Sequence, residues 1–308
     1  MSLKIMHTGD LHLGMKFNQY PQISSDLEAA RYQALENVIK EANKRKVNLL
    51  AVAGDLFDKA NIKSVNIKKT IAILDKFSGD AVLILPGNHD YSDGVSELWD
   101  KFKNNIRGRM LVLEQEKIYQ LDDFGVSAAV YPAPCDSKLS SQNKLDWIKD
   151  LNKRPSTDYH LALAHGALAG FSPDLNDDYF KMTKEELLNL DMDLWLLGHS
   201  HLPYPKNKSV KMQKIFNNGT PEPDGMDCRH RGSAWYIELN QKKRVQAEQV
   251  RTGNYHFSDL EKEINSLSEL DDLVNEILSL EPQSKILRLK LKGELPQQDF
   301  AAKDKYLA

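Results

Sequence analysis

Leu85-Pro86-Gly87-Asn88-His89-Asp90 is the stretch whose reading decides the fold. The run before it, Ala81-Val82-Leu83-Ile84-Leu85, has the unbroken apolar character of a strand buried on both faces of a parallel sheet. Pro86-Gly87 ends that strand, and three polar side chains follow at once, as in a loop that carries chemistry. Alone, Asn and Asp after glycine are ordinary turn formers. The same grammar, however, occurs four more times. Leu3-Lys4-Ile5-Met6 runs into Thr8-Gly9-Asp10-Leu11-His12, and Leu49–Ala53 into Gly54-Asp55-Leu56-Phe57-Asp58. Further on, His160–Ala164 ends in His165-Gly166, and Leu194–Leu197 in Gly198-His199-Ser200-His201.

Outward from these strand ends, helical spacing runs from Ser25 to Asn43, with Ser25 as the N-cap and Glu28 completing a capping box. A second helix passes through Val65, Ile67, Ile71, Leu74 and Phe77. Strand, loop and helix thus alternate three times, the signature of an α/β start with parallel pairing. In such sheets ligands bind beyond the carboxyl ends of the strands, where the polar clusters fall. From Met110 to Pro134, short apolar runs without intervening helices predict an antiparallel section, followed by a helix over Leu139–Leu151. Ile215–Asn217, Ala234–Leu239 and Val245–Val250 read as later strands. The composition shifts near Gly253, which divides the chain into residues 1–254 and the start of a smaller domain over 255–308. In that second part a helix is expected over Ser268–Leu280 and a strand over Ile286–Leu291. About 50 residues barely support a core alone, and the polar tail after Pro296 looks cut short.

The 308 residues are 41% hydrophobic and 28% charged, with a net charge of -3, an ordinary globular balance with no overall basic excess. A nucleic-acid surface would therefore have to be local. The two cysteines, Cys135 and Cys228, show no paired spacing and read as free thiols of a reducing compartment. No stretch has the length of a membrane span or the form of a leader, so a cytoplasmic location and no membrane association are expected.

Asp10, His12, Asp55, Asn88, His89, His165, His199 and His201 gather at the five strand ends, and five of the nine histidines are among them. Carboxylate, imidazole and one amide oxygen suit Mn²⁺, Fe²⁺, Zn²⁺ or Co²⁺, and the lack of thiolate argues against a structural zinc site. Asp10 with His12, and His199 with His201, are each two residues apart and can grip one ion together. Seven donors exceed the needs of one ion with an open position. Two ions fit better, with Asp55, on a central strand, as the bridge. Such a pair would clamp a phosphoryl group and bring the pKa of bound water from ~15.7 towards ~7, giving a hydroxide for in-line attack. His89, beside Asn88, is placed to protonate the leaving oxygen, and Asp58 to hold its imidazole.

These five motifs, in this order, resemble those of the calcineurin-like metallophosphoesterases. The flanks "HTGDLHLG", "VAGDLFDKA" and "LPGNHD" resemble the nuclease subunits of the SbcD type. The resemblance covers roughly residues 3 to 250. It implies a two-layered mixed β-sheet sandwich flanked by helices, class α/β, with a small partial α+β cap domain that closes over DNA. It assigns Asp10, His12, Asp55 and His201 to one ion, and Asp55, Asn88, His165 and His199 to the other, most often Mn²⁺. His89, paired with Asp58, would be the acid or a phosphate contact. The implied activity is a 3′-to-5′ exodeoxyribonuclease with some endonuclease action, working with an SMC-like ATPase (SbcC-type) partner and as a homodimer. Relatives often carry histidine where this chain has Asp58, which leans towards the bacterial type.

Other residues have plainer readings. His7 and His160 are expected to be structural. Phe17 and Tyr20 either cover a core edge or stack on a base. Arg229 and Arg231 are loop cations that could reach a phosphate backbone. Lys206, Lys208, Lys211 and Lys214 read as a solvated hairpin. Two other functions stay open: a phosphatase or phosphodiesterase for small nucleotides or phosphoproteins, and a scaffold that binds metal without turnover.

Overall fold

The computed structural model describes residues 2–172, 177–279 and 282–300. The chain forms two units, residues 1–222 with 232–253, and residues 223–231 with 254–308. The first opens with β1 (Leu3–Thr8), α1 (Ser24–Lys44), β2 (Leu49–Ala53), α2 (Ser64–Leu74), β3 (Ala81–Leu85), α3 (Leu98–Lys103) and β4 (Met110–Val112). It continues through β5 (Tyr119–Gln120), β6 (Ala128–Ala133), α4 (Asp146–Lys149), β7 (Tyr159–His165), α5 (Lys184–Asn189) and β8 (Leu194–Gly198). It closes with β9 (Pro203–Tyr204), β10 (Ser209–Lys211), β11 (Ile215–Asn218), β12 (Ser233–Leu239) and β13 (Val245–Arg251).

Two mixed sheets result. One has the order β10-β13-β12-β1-β2-β3-β4, the other β5-β6-β7-β8-β11-β9. Their facing surfaces share one core, in which Ile5, Leu49, Leu83 and Trp235 meet Leu163, Leu196 and Phe216. The outer face of the first sheet packs on α1, α2 and α3 through Leu35, Ile71 and Phe102. The outer face of the second packs on α4 and α5 through Ile148 and Leu187. The architecture is therefore helix, sheet, sheet, helix. With both faces covered, all five residues of β2 and of β3 are buried, which is why these strands read as unbroken apolar runs. Strands β1, β2 and β3 are parallel neighbours in one sheet, and β7 and β8 are parallel neighbours in the other. The carboxyl ends of all five lie at one edge of the sandwich.

Several local expectations change. Helix α1 begins at Ser24, its N-cap is Ile23, and no side chain caps it. Glu28 binds Lys16 instead of closing a capping box. A full capping box does form at α5, between Thr183 and Glu186. The middle segment is antiparallel only between β5 and β6. Strand β4 is parallel to β3, because α3 provides the crossover that the apolar runs did not reveal. The helix expected over Leu139–Leu151 shrinks to α4. Ser140 is instead held in extended pairing with the chain at Asp178–Phe180, and the Asn143 side chain accepts from Leu145 N. The lysine-rich stretch around β10 is an edge strand paired to β13, not a free hairpin.

The second unit is a β-α-β element: β14 (His256–Glu263), α6 (Leu267–Ser279) and β15 (Lys285–Lys292), followed by the short α7 (Gln297–Phe300). β14 and β15 are parallel along their whole length. Leu280, the expected end of α6, and the tail from residue 301 lie outside the described residues. Ile264, Leu270 and Leu273 form a small core with Leu260, Leu267 and Leu291. The loop 223–231 belongs to this unit, and its Arg229 pairs with Asp259 at 3.4 Å.

Candidate metal centre

The site grows from three strand ends of the first sheet. After β1 and β2 the two chains keep running side by side: Asp10 N donates to Gly54 O (3.1 Å), His12 N to Asp55 O (2.9 Å) and Leu13 N to Leu56 O (3.0 Å). Within this pair of loops Asp10, His12 and Asp55 have φ of 49°, 43° and 51°, left-handed backbone that ordinary residues avoid. The kinks turn all three side chains to the same edge. Two glycines permit the crowding that follows. A Cβ on Gly87 would run into the Asp55 carboxylate, and one on Gly54 into the His165 imidazole.

The second sheet supplies the opposite wall. At the end of β7, His165 Nδ1 donates to Ala53 O at 2.9 Å, which turns Nε2 towards Asn88 Oδ1 (3.0 Å) and Asp55 Oδ2 (3.3 Å). After β8, the His199 main-chain N–H donates to the Asp10 carboxylate (3.1 and 3.2 Å), and its Nδ1 lies 3.3 Å from Asn88 Oδ1. His201 Nε2 faces His12 Nε2 at 3.1 Å and Asp10 Oδ1 at 3.9 Å, while His12 Nε2 lies 3.7 Å from Asp55 Oδ2. All seven expected ligands therefore converge. Asp10, His12 and His201 have ligand atoms within 4.8 Å of one another, as do Asp10, Asp55 and His165, and His12, Asp55 and His89. Asp10, His12 and Asp55 each belong to two of these groups, and Asp55 is the one whose carboxylate lies near both His12 (3.7 Å) and His165 (3.3 Å). A set of buried nitrogens and carboxylate oxygens, converging without a thiolate, fits hard to borderline divalent ions.

His89 is set apart from this set. Its main-chain N–H donates to Asp55 Oδ1 (2.8 Å), and its ring stands edge-on to His12, 4.7 Å between centres. Its Nδ1 donates to the main-chain carbonyl of Asp58 at 3.0 Å. The partner foreseen in the sequence is therefore the right residue through a different atom, and the Asp58 carboxylate is half-buried with its pKa raised by that burial. Phe17 is only 1% exposed and belongs to the core, so its ring is closed to stacking, whereas Tyr20 is half-buried. Arg229 and Arg231 lie in the second unit. His7 bonds Leu197 O at 3.1 Å, and His160 bonds the Tyr131 hydroxyl at 2.8 Å, both structural uses.

Four residues were not singled out by the sequence. Asp90 is buried and accepts from Phe57 N (2.9 Å) and Gly87 N (2.7 Å), lashing the loop after β2 to the loop after β3. Burial, with the Asp55 charge, pushes its carboxyl up to about 7. Asn218 donates to Asp10 Oδ2 at 2.9 Å, and Thr220 to Asp10 O at 2.9 Å. Arg31, on the buried face of α1, donates to the carbonyls of Asp10 and Leu11. Arginine inside an apolar stripe was the available signal for this last one.

The two sides of the site differ in charge. Burial holds the His12 imidazole well below its usual range, hence neutral. Burial works against a charge on His165 too, but the adjacent Asp55 carboxylate outweighs it and raises that imidazole to about 9.

The calcineurin-like phosphoesterase family matches residues 3–203. The chain belongs to that family. Among curated relatives, this phosphoesterase is 26% identical over 212 residues to the uncharacterized metallophosphoesterase YhaO of Bacillus subtilis, covering 65% of this chain and 48% of that protein. It is also 26% identical over 202 residues to the DNA double-strand break repair protein Mre11 of Haloferax volcanii, covering 65% and 42% respectively. The chain thus spans about half the length of these relatives, or less. Purple acid phosphatase PPD1 from yellow lupin seeds shares the fold, with a TM-score of 0.50 and 12% identity over 82% of this chain and 52% of that one. The family's centre is dinuclear, and the donor set built here fits it. No helix among the described residues is long and apolar enough to cross a membrane.

Proposed function

We propose that this phosphoesterase is a manganese-dependent DNA nuclease of the SbcD type, a 3′-to-5′ exonuclease with some endonucleolytic action. The observation that carries the reading is His89, an imidazole anchored through Nδ1 beside a complete seven-donor centre. A phosphodiester needs an acid for its leaving oxygen, and His89 Nε2 is the nitrogen left facing the site. Support for DNA as the substrate comes from the likeness to a double-strand break repair protein.

Asp10, His12, Asp55 and His201 would hold one ion, and Asp55, Asn88, His165 and His199 the other. When bound, the ions clamp the phosphoryl group and lower the pKa of water towards ~7. The protein does the rest. The Asp58 carbonyl holds Nδ1–H and so turns Nε2 into the site; the imidazolium form would pass its Nε2 proton to the departing oxygen and be left as the neutral Nδ1–H imidazole. The Ala53 carbonyl does the same orienting work for His165. In this reading the second unit begins a DNA-recognition domain, Arg229 and Arg231 contact backbone phosphates, and an SMC-like ATPase and a second copy of the chain are partners.

The test uses duplexes labelled at the 3′ or the 5′ end, with Mn²⁺, comparing the parent with His89→Ala and Asp55→Ala. Cleavage from the 3′ end that both changes abolish is the expected result. Hydrolysis of bis(p-nitrophenyl) phosphate with DNA left intact would instead favour small nucleotides. Two bound ions with no turnover on either substrate would favour a scaffold.

A further inference from the structure

We infer that Arg31 is a positioning residue that secures one ion of the pair, the one held by Asp10, His12 and His201, far more than the other. The inference concerns the centre itself and does not depend on DNA being the substrate.

Arg31 is 1% exposed and lies on the face of α1 that also buries Leu27, Ala34 and Leu35. A guanidinium in such a place is costly unless its N–H groups are bonded. Its three nitrogens reach three main-chain carbonyls: Nε to Leu11 O (2.5 Å), one terminal nitrogen to Asp10 O (2.9 Å) and the other to Glu222 O (3.3 Å). Thr220 Oγ1 lies 2.9 Å from the same Asp10 oxygen and 2.7 Å from Glu222 O.

The carbonyls of Asp10 and Leu11 belong to the two peptide units that join Asp10 to His12. Both flanking residues are left-handed, at 49° and 43°. Such backbone is strained and persists only where its surroundings enforce it. The kink that sends the two side chains to the metal edge sends these two oxygens the other way, into the protein. There an unpaired carbonyl would be costly, and Leu11 O has Arg31 as its donor while Asp10 O shares Arg31 with Thr220. Arg31 is what makes that orientation tolerable. Asn88 and His165 are oriented by each other and by Ala53 O, and the His199 main-chain N–H by the Asp10 carboxylate, so this side is tied to Arg31 only at one remove, through Asp10.

Arg31→Met keeps the bulk of the side chain and removes the donors. In Mn²⁺ titration calorimetry the parent takes up two ions. The variant is expected to bind one of them about 10–100-fold more weakly, the range typical of losing an outer partner of a metal site, with the other within about twofold. Electron paramagnetic resonance at one equivalent of Mn²⁺ above the tight site should change from a coupled-pair signal to an isolated ion. Arg31→Lys, with one donor head, should recover only part of the loss. Thr220→Val, which leaves α1 untouched, should weaken the same ion by a smaller factor and serves where Arg31→Met fails to fold. Equal weakening of both ions, or an unchanged coupled signal in both variants, would overturn the assignment.

Discussion

The two halves of the metal centre reach the same end by different means. Around Asn88, His165 and His199 the ligands sit where strands end, and each is aimed by a hydrogen bond from fixed backbone or from a neighbouring ligand. Around Asp10, His12 and His201 the first two sit on left-handed backbone braced from behind by Arg31 and Thr220 (His199, in the other half, is left-handed too), and His201 keeps 30% of its side chain exposed. One half is rigid because the sheet is rigid. The other depends in addition on its braces, and each half reaches solvent at one histidine, His199 or His201. The electrostatics follow the same division: without an ion His165 carries a proton beside Asp55, and His12 does not. Two ions in one site should therefore differ in affinity, in exchange and in pH dependence.

The most drastic way to erase the difference is to remove what the halves share. Asp55→Ala should strip both ions and lower hydrolysis of bis(p-nitrophenyl) phosphate by roughly 10³-fold or more, several kcal/mol at about 1.4 per decade. Metal analysis of the purified variant checks the cause.

Acid should reach the braced half from below. His7, three residues before Asp10 and buried against β8, is lowered by burial to about 4. Between that value and 6.5 the unfolded chain takes up a proton that the folded chain refuses, so stability rises with pH across this window. The full effect is about 3 kcal/mol, present above pH 6.5 and lost as pH falls towards 4. Urea unfolding of the metal-free protein at pH 4.5 and 7 should show that loss, and His7→Gln should reduce the slope.

Single ligands sharpen the contrast. His165→Ala should weaken one ion by at least the 10–100-fold that an outer partner costs, and His201→Ala, at the solvent rim, should weaken the other by less. Calorimetric titration of the two variants side by side decides it, and the reverse order would remove the asymmetry.

The last contrast is one proton. Between pH 6.5 and 9 the ion taken up beside His165 must displace the proton there, so its apparent affinity should rise by up to about tenfold per pH unit. Uptake measured in buffers of different ionisation enthalpy reports the proton directly.

Much of this site was legible in the chain. Each ligand follows an apolar strand, next to a glycine or two residues beyond such a neighbour, so the strand grammar alone selected Asp10, His12, Asp55, Asn88, His165, His199 and His201. What escaped were partners that touch the ligands from far away in sequence. Arg31, Asn218 and Thr220 meet Asp10 across 21, 208 and 210 positions, and no periodicity encodes such a meeting. Asp90 stood in plain view but looked like a turn residue, because its bond to Phe57 N is a fact of the neighbouring loop. Phe17 failed in the opposite direction: a loop aromatic is a core residue or a stacking platform according to what lies beneath it, and here that is the core.

By itself the sequence determined which polar side chains stand at strand ends, because burial on both faces forces apolar runs and only their termini can hold polar groups. It also determined the second β-α-β element, through a helix stripe and an alternating strand. Only the tertiary structure decided how those ends meet. That α3 makes β4 parallel, that Asp58 reaches His89 with its carbonyl, and that left-handed loops are braced by a buried guanidinium all depend on contacts between distant segments. Such contacts are set by packing the two sheets together, and packing is a property of the whole chain rather than of any stretch of it.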